Sequence, residues 1–599
     1  MAGNDGALLK RDQIEESYRW DLSTIFHTAE DWEAAWKTLQ ASIPDLEAYR
    51  GRLNVDGRTL FTCLGYLDTV EVLLGKVFVY ATMTSHEDMR NQDAQAMADK
   101  AMALNVRVSE ALSFLVPEIL EIDEDRLWRF VKDEPRLETY RLYLERIVRQ
   151  KPHVLSAREE GLLAGMGEIV QAPEHMFSML TDGDMVFPSI DDEAGQTVEL
   201  SEERYYRCIR SRNRTVRRDA FLGIHGTYEG FKNTLAASLS ASVKGDAYLA
   251  RVHSYGSSRE AALEPREIPL SIYDNLLSTV EARLPVLHEY VALRKRALGL
   301  DELHMYDLYV PLVDDPDTDI SWESAKSMVL RGLEPLGEEY GALLRRGMDE
   351  RWIDVYENQG KRKGAYSWGS YGTNPFVLLN YNGTIRDVFT LAHELGHSLH
   401  SWHSHRAQPP VYGDYTIFVA EVASTTNEVL LLEHLLKESP EARPFLLNYC
   451  LEQVRTTVFR QTMFARFELE THRMVEEGTP LTPEGLCALW SKLNKEYYGS
   501  EITVDKEIGI EWARIPHFYS AFYVYQYATG YSAATALAEG ILREGEPARA
   551  RYLDFLSGGS SRSPIELLRG AGVDMAQKEP VEATLDLFKE KLDELATLI

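Results

Sequence analysis

A chain of 599 residues with 44% hydrophobic and 26% charged residues has an ordinary globular composition and is long enough to form more than one lobe. Its net charge of −30 argues against nucleic acid or an anionic membrane as partner, since both repel negative charge. Its four cysteines, Cys63, Cys208, Cys450 and Cys487, form no C-x-x-C pair, which excludes a disulfide framework and a thiolate zinc site and suits a reducing compartment.

In chain order, the opening MAGNDGALLKRDQIEESYRW has no apolar h-region, so no signal peptide is expected. From Trp32 to Tyr49 apolar residues recur at helical spacing. Leu60 to Leu120 does the same with almost no Gly or Pro, which predicts a long helical hairpin. His153 to Gly167 continues in this style. MVFPSIDDEAGQTVELS, Met185 to Ser201, reads instead as two short extended runs around a turn. It marks the expected boundary between an N-terminal helical lobe, residues 1–200, and a second domain, residues 201–599.

Helical patterning resumes at Glu202 and runs to about Leu300. YSWGSYGTNPFVLLNYNGT, Tyr366 to Thr384, breaks it with glycines, Pro375 and the extended run Phe376 to Tyr381. Val377, Leu379 and Tyr381 alternate with Phe376, Leu378 and Asn380, which predicts a strand whose exposed edge could pair with an extended peptide. From Ile417 onward the pattern is helical again. No apolar run approaches 18 residues, so no transmembrane helix is expected. These elements predict a mainly α protein of the cytosol, with a few short strands close to its site.

FTLAHELGHSLHS, Phe389 to Ser401, carries the chemistry. His393 and His397 are four apart, so both rings project from one helix face. Glu394 lies about 100° from the first and 60° from the second. Burying such groups without partners is costly. A cation held between the rings would compensate, and zinc accepts imidazole nitrogen and carboxylate oxygen in tetrahedral geometry. Manganese or cobalt could occupy the same ligands.

A catalytic zinc site needs a third protein ligand, and two candidates exist. His403 stands six residues after His397, the spacing of H-E-x-x-H-x-x-G-x-x-H. His400, however, occupies the position where that motif turns on a glycine, and histidine adopts such a turn poorly. Glu421 is stranded among Phe418, Val419, Ala420 and Val422, where a carboxylate needs a partner. Glu428, seven residues on, shares its face. The residues therefore favour ligation by His393, His397 and Glu421, with Glu394 as general base.

HELGH, then 23 residues, then the glutamate of FVAEVAST, with AYSWGSYGTNPFVLLNYNGT upstream and RIPHFYSAFYVYQYATG downstream, resembles oligoendopeptidase F, of the thimet-oligopeptidase-like zinc metallopeptidases. The resemblance runs from SYRWDLSTIF to the final helices. It implies two helical lobes around a deep substrate channel, one zinc at its floor, and cleavage of short unstructured peptides. It also implies that residues 201–599 form the zinc metallopeptidase domain, that Glu421 ligates, and that His403 does not. Relatives use a histidine and tyrosines from the downstream segment to hold the oxyanion and the substrate backbone. That implies His517 with Tyr525, whose distance to YATGYSAA matches better, or Tyr523. On one helix these tyrosines would lie about 200° apart, so one alone would face the metal.

Two other classes are open to this scaffold. A zinc exopeptidase would need a charged pocket for a peptide terminus, and no G-x-M-E-N-type stretch supplies one. A non-catalytic peptide-binding protein would have no use for Glu394.

Overall fold

The computed structural model describes residues 8–316 and 319–599. Residues 1–7, on which the expectation about a leader partly rests, lie outside that range. Helix forms wherever apolar residues recur at three- and four-residue spacing, and seven helices carry the rest of the account. In chain order they are α1 (Ala29–Glu47), α2 (Gly57–Glu87), α3 (Gln92–Leu112), α4 (Ile385–Ala407), α5 (Ile417–Glu438), α6 (Arg460–Glu476) and α7 (Tyr525–Glu544). Side chains cap their starts. Thr28 and Asp31 make a reciprocal capping box on α1, Asp56 accepts from the Thr59 N–H on α2, and Asn91 accepts from Ala94 on α3.

Among the described residues seven short strands accompany them: β1 (Ser189–Asp191), β2 (Thr197–Glu199), β3 (Leu303–His304), β4 (Ile353–Asp354), β5 (Tyr366–Trp368), β6 (Phe376–Leu378) and β7 (Ile502–Thr503). β1 and β2 form the expected antiparallel hairpin, and β3 pairs in parallel with β7. The third sheet has the order β4-β6-β5, parallel on one side of β6 and antiparallel on the other. This corrects the reading of the Phe376 segment as an exposed edge. Phe376, Val377 and Leu378 are all fully buried, and the edge strands are β4 and β5. A continuous apolar run marks a strand covered on both faces, and that is what this stretch is.

Two compact units emerge. Among the described residues the first holds 8–152, 319–434 and 537–572, and the second 153–316, 435–536 and 573–599. The expected boundary near residue 200 falls inside the second unit, because both units are assembled from separated stretches of chain. In the first, Trp32, Leu39, Leu74, Val77, Leu104 and Val108 join α1, α2 and α3 into one core, each side chain contributing roughly 1.5–3 kcal/mol. A buried charge cluster backs the β4-β6-β5 sheet: Asp354 pairs with Arg11 at 2.5 Å and Lys361 at 2.6 Å. Burial alone would raise the Asp354 pKa, but the two cations hold it below the ordinary carboxylate range.

The second unit has an aromatic centre. Phe467 packs on Trp490 and Phe518 with ring centroids 5.0 and 5.1 Å apart, and Phe518 anchors the turn that bears His517. Among the described residues no helix is long and apolar enough to cross a membrane.

Candidate active site

α4 starts at a capping box between Thr384 and Asp387 and buries Val388, Phe389, Leu391, Ala392, Leu395 and Leu399. That apolar stripe fixes its rotation, so His393 and His397 lie together at the margin of the buried face. α5 crosses against it at Gly396. A Cβ added there would lie 2.5 Å from the Ser424 Cα and 2.9 Å from the Ala423 carbonyl oxygen. Only glycine allows this approach. One turn earlier the buried Asn427 side-chain amide donates to the Ala392 carbonyl at 3.0 Å, and Tyr340 donates its hydroxyl to Asn427 Oδ1 at 3.0 Å. These bonds set the register of α5 so that Glu421 faces the histidine pair.

The resulting geometry is tight. The Nε2 atoms of His393 and His397 are 3.2 Å apart. Glu421 Oε2 is 3.5 Å from the first and 3.8 Å from the second. Among the described residues this is the one group of three His, Cys, Asp or Glu side chains whose ligand atoms converge in this way, all within 4.8 Å. A tetrahedral ion with bonds of about 2.0–2.2 Å needs neighbouring ligand atoms about 3.3–3.6 Å apart, so the donor set fits zinc. His393 Nδ1 lies 2.6 Å from Glu428 Oε1 and donates to it, which leaves the Nε2 lone pair aimed into the triangle. The three ligand side chains are only half-buried, so a fourth position can face water, as a catalytic site requires.

Electrostatics follow from burial and from this crowding of acids. Burial works to lower the His393 pKa, but the hydrogen bond and charge of Glu428 prevail and raise it to about 9. Burial and the neighbouring His393 push His397 down to about 3. Glu394 is 7% exposed; burial, with Glu421 and Glu428, pushes it up to about 7 against the pull of His393. A bound dication would favour the ionised carboxylates and the neutral histidines. β5 runs beside this group. The Ser367 backbone hydrogen-bonds Glu394, Ser367 Oγ sits 2.8 Å from Ser398 Oγ, and Ser398 donates to the Glu394 carbonyl at 3.0 Å.

His403 is not in the cluster. α4 continues through His400, whose ring stacks on Tyr415 with centroids 3.6 Å apart and planes 8° apart. With no turn at His400, His403 faces Tyr340 instead.

The downstream candidates all belong to the second unit, and one of them needs correcting. Tyr525 is fully buried against Tyr273, ring centroids 5.1 Å apart. Tyr523 precedes α7 and follows Phe522, whose φ is +54°, so the helical-angle comparison of the two tyrosines does not apply. His517, in the short 3-10 turn Pro516–Tyr519, has its ring parallel to Tyr523 at 6.0 Å and edge-on to Tyr527 at 6.0 Å. The Tyr527 hydroxyl lies 3.4 Å from His517 Nε2. Burial lowers the His517 pKa, which keeps the ring neutral at physiological pH. The structure thus brings together His517, Tyr523 and Tyr527 and leaves Tyr525 in the core. Tyr527 stands in the RIPHFYSAFYVYQYATG stretch without a signal that singles it out, and it lies in the first turn of α7.

Residues 208–587 match the family model described as Peptidase family M3, and residues 118–187 the model described as Oligopeptidase F. Oligopeptidase PepF of Bacillus subtilis (strain 168) is 48% identical over 98% of this chain and 88% of its own length. Group B oligopeptidase PepB of Streptococcus agalactiae serotype III (strain NEM316) is 42% identical over 98% of both chains. Among solved structures, oligoendopeptidase-F from Enterococcus faecium is 39% identical, with a TM-score of 0.75 over 95% of this chain and 99% of that one.

Proposed function

This chain belongs to peptidase family M3, among the oligoendopeptidase F metalloendopeptidases, and from that premise we propose a specific chemistry for it. The enzyme hydrolyses internal bonds of short unstructured peptides, using one zinc held by His393, His397 and Glu421. The convergence of two Nε2 atoms and one carboxylate oxygen beside the buried Glu394 is the observation that carries the reading. Zinc, when bound, supplies a Lewis acid that brings the pKa of a water to about 7 and polarises the scissile carbonyl.

The protein's own groups do the rest. Glu394 accepts the proton of the attacking water and returns it to the departing amine, a general-base role open to a buried carboxylate beside the ligand triangle. Glu428 fixes the His393 tautomer through Nδ1. Negative charge develops on the carbonyl oxygen as the water adds to the carbonyl carbon, and donors stabilise it only there. In this reading they are His517, with Tyr523 and Tyr527. The substrate backbone pairs along the edge strand β5, which makes few demands on side chains and suits a peptidase of broad sequence tolerance.

An internally quenched peptide tested against an end-labelled dipeptide, with and without a chelator, checks this. Chelator-sensitive cleavage of the first and not the second is expected. Preferential cleavage of the dipeptide would make the enzyme an exopeptidase instead, and no cleavage of either would leave a binding protein.

A further inference from the structure

Four non-glycine residues among those described have positive φ: Ser254, Glu267, Arg351 and Phe522. Phe522 alone is buried, at 0% exposure. A bulky residue adopts the left-handed region only when its surroundings hold it there. Here the hold is visible. The Phe522 N–H donates to Glu468 Oε1 at 2.6 Å, and Glu468, on α6, is 1% exposed. The Phe522 ring packs against His472 and Tyr273, with centroids 4.7 and 5.6 Å away. His472 is fixed in turn, its Nδ1 donating to the Glu468 carbonyl at 2.9 Å and its Nε2 lying 3.2 Å from Asp246. The mechanism uses none of these groups, yet the very next residue is Tyr523.

We propose that Glu468 is a positioning residue, whose bond to the Phe522 N–H holds the left-handed turn that sets Tyr523 against His517. The inference rests on the reading of His517 and Tyr523 as donors, and it explains how a segment outside regular structure keeps them in place. Without the bond, Phe522 relaxes to negative φ, and the backbone direction at Tyr523 changes with it. Burial pushes the Glu468 pKa up to about 8, against His472 and the Phe522 N–H. The side chain therefore works mainly as a neutral acceptor near pH 7, which glutamine reproduces in shape and in its carbonyl oxygen.

Glu468→Gln keeps the reach and removes the ionisable group. Glu468→Asp keeps the carboxyl and loses one methylene of reach. With folding checked by thermal melts and metal content measured for each, Glu468→Gln should retain near wild-type kcat. Glu468→Asp should lose on the order of 10–100-fold in kcat, the scale of an ångström of misplacement, with KM little changed. The reverse order overturns the proposal, as does equal kcat in both variants when His517→Ala or Tyr523→Phe is itself impaired.

A second readout does not depend on turnover. With 3-fluorotyrosine at position 523, the fluorine resonance should move in Glu468→Asp and stay in Glu468→Gln. An unmoved resonance in Glu468→Asp overturns the proposal. A moved one, together with wild-type kcat in His517→Ala and Tyr523→Phe, sustains the positioning role and refutes the donor reading instead.

Discussion

The pair α4–α5 and the Pro516–Tyr527 segment both carry groups assigned to catalysis, but they hold them by different means. On α4 and α5 the side chains inherit their places from helical repeat. A capped start, a glycine contact at Gly396 and the buried Asn427 bonds fix two rigid elements, and the ligand triangle follows. Between Tyr519 and Tyr525 the backbone leaves regular structure, turns at Phe522 with positive φ, and relies on Phe518 packing and the Glu468 bond. In the proposed mechanism the metal-holding groups sit on regular helices, while the donors His517 and Tyr523 sit in or beside a bent segment. The contrast predicts sharply different responses to small substitutions.

The largest effect should come from Glu394→Gln. The amide keeps the shape and some hydrogen bonding but cannot take a proton at neutral pH, so kcat should fall on the order of 10²–10⁴-fold with metal retained. Steady-state kinetics beside metal analysis checks this, and turnover close to wild type would place the base elsewhere.

Next come the donors. His517→Ala and Tyr523→Phe should each lower kcat and kcat/KM together, on the order of 10²–10³-fold, with KM little changed. Tyr525→Phe should be nearly silent in turnover, because its ring is core. A severe kcat loss in Tyr525→Phe alone would reverse the assignment made between the tyrosines.

Glu428→Gln sharpens the helical side of the comparison. It weakens the group that orients His393, and metal affinity should drop about 10–100-fold, read by competition with a chelating dye. The last substitution, Gly396→Ala, tests the helix contact through stability. A single methyl group must push α5 off α4, which should cost about 1–3 kcal/mol of stability in denaturant titration. Wild-type stability would mean that the close approach is not a constraint.

The sequence was most legible where periodicity governs. His393 and His397 announce themselves by i, i+4 spacing, and Glu421 by being a lone acid in an apolar helix. Gly396 and Asn427 carry no local signal, because what they do depends on which helix lies opposite. The β6 run looked like an alternating edge, but its unbroken apolar content was the better guide. The helical-angle comparison of Tyr523 with Tyr525 does not apply, because the left-handed Phe522 precedes the helix and leaves Tyr523 outside it; the preference for Tyr525 rests instead on its spacing to YATGYSAA. The boundary at residue 200 followed a real hairpin, β1–β2, but a hairpin is a local feature, and the compact units are stitched from distant segments.

The central claim is the ligand triangle, and metal content tests it most directly. Inductively coupled plasma analysis of dialysed protein should find one zinc per chain in the wild type and in His403→Ala, and almost none in Glu421→Ala. Zinc retained by Glu421→Ala and lost from His403→Ala would contradict the account and move the third ligand onto α4 itself.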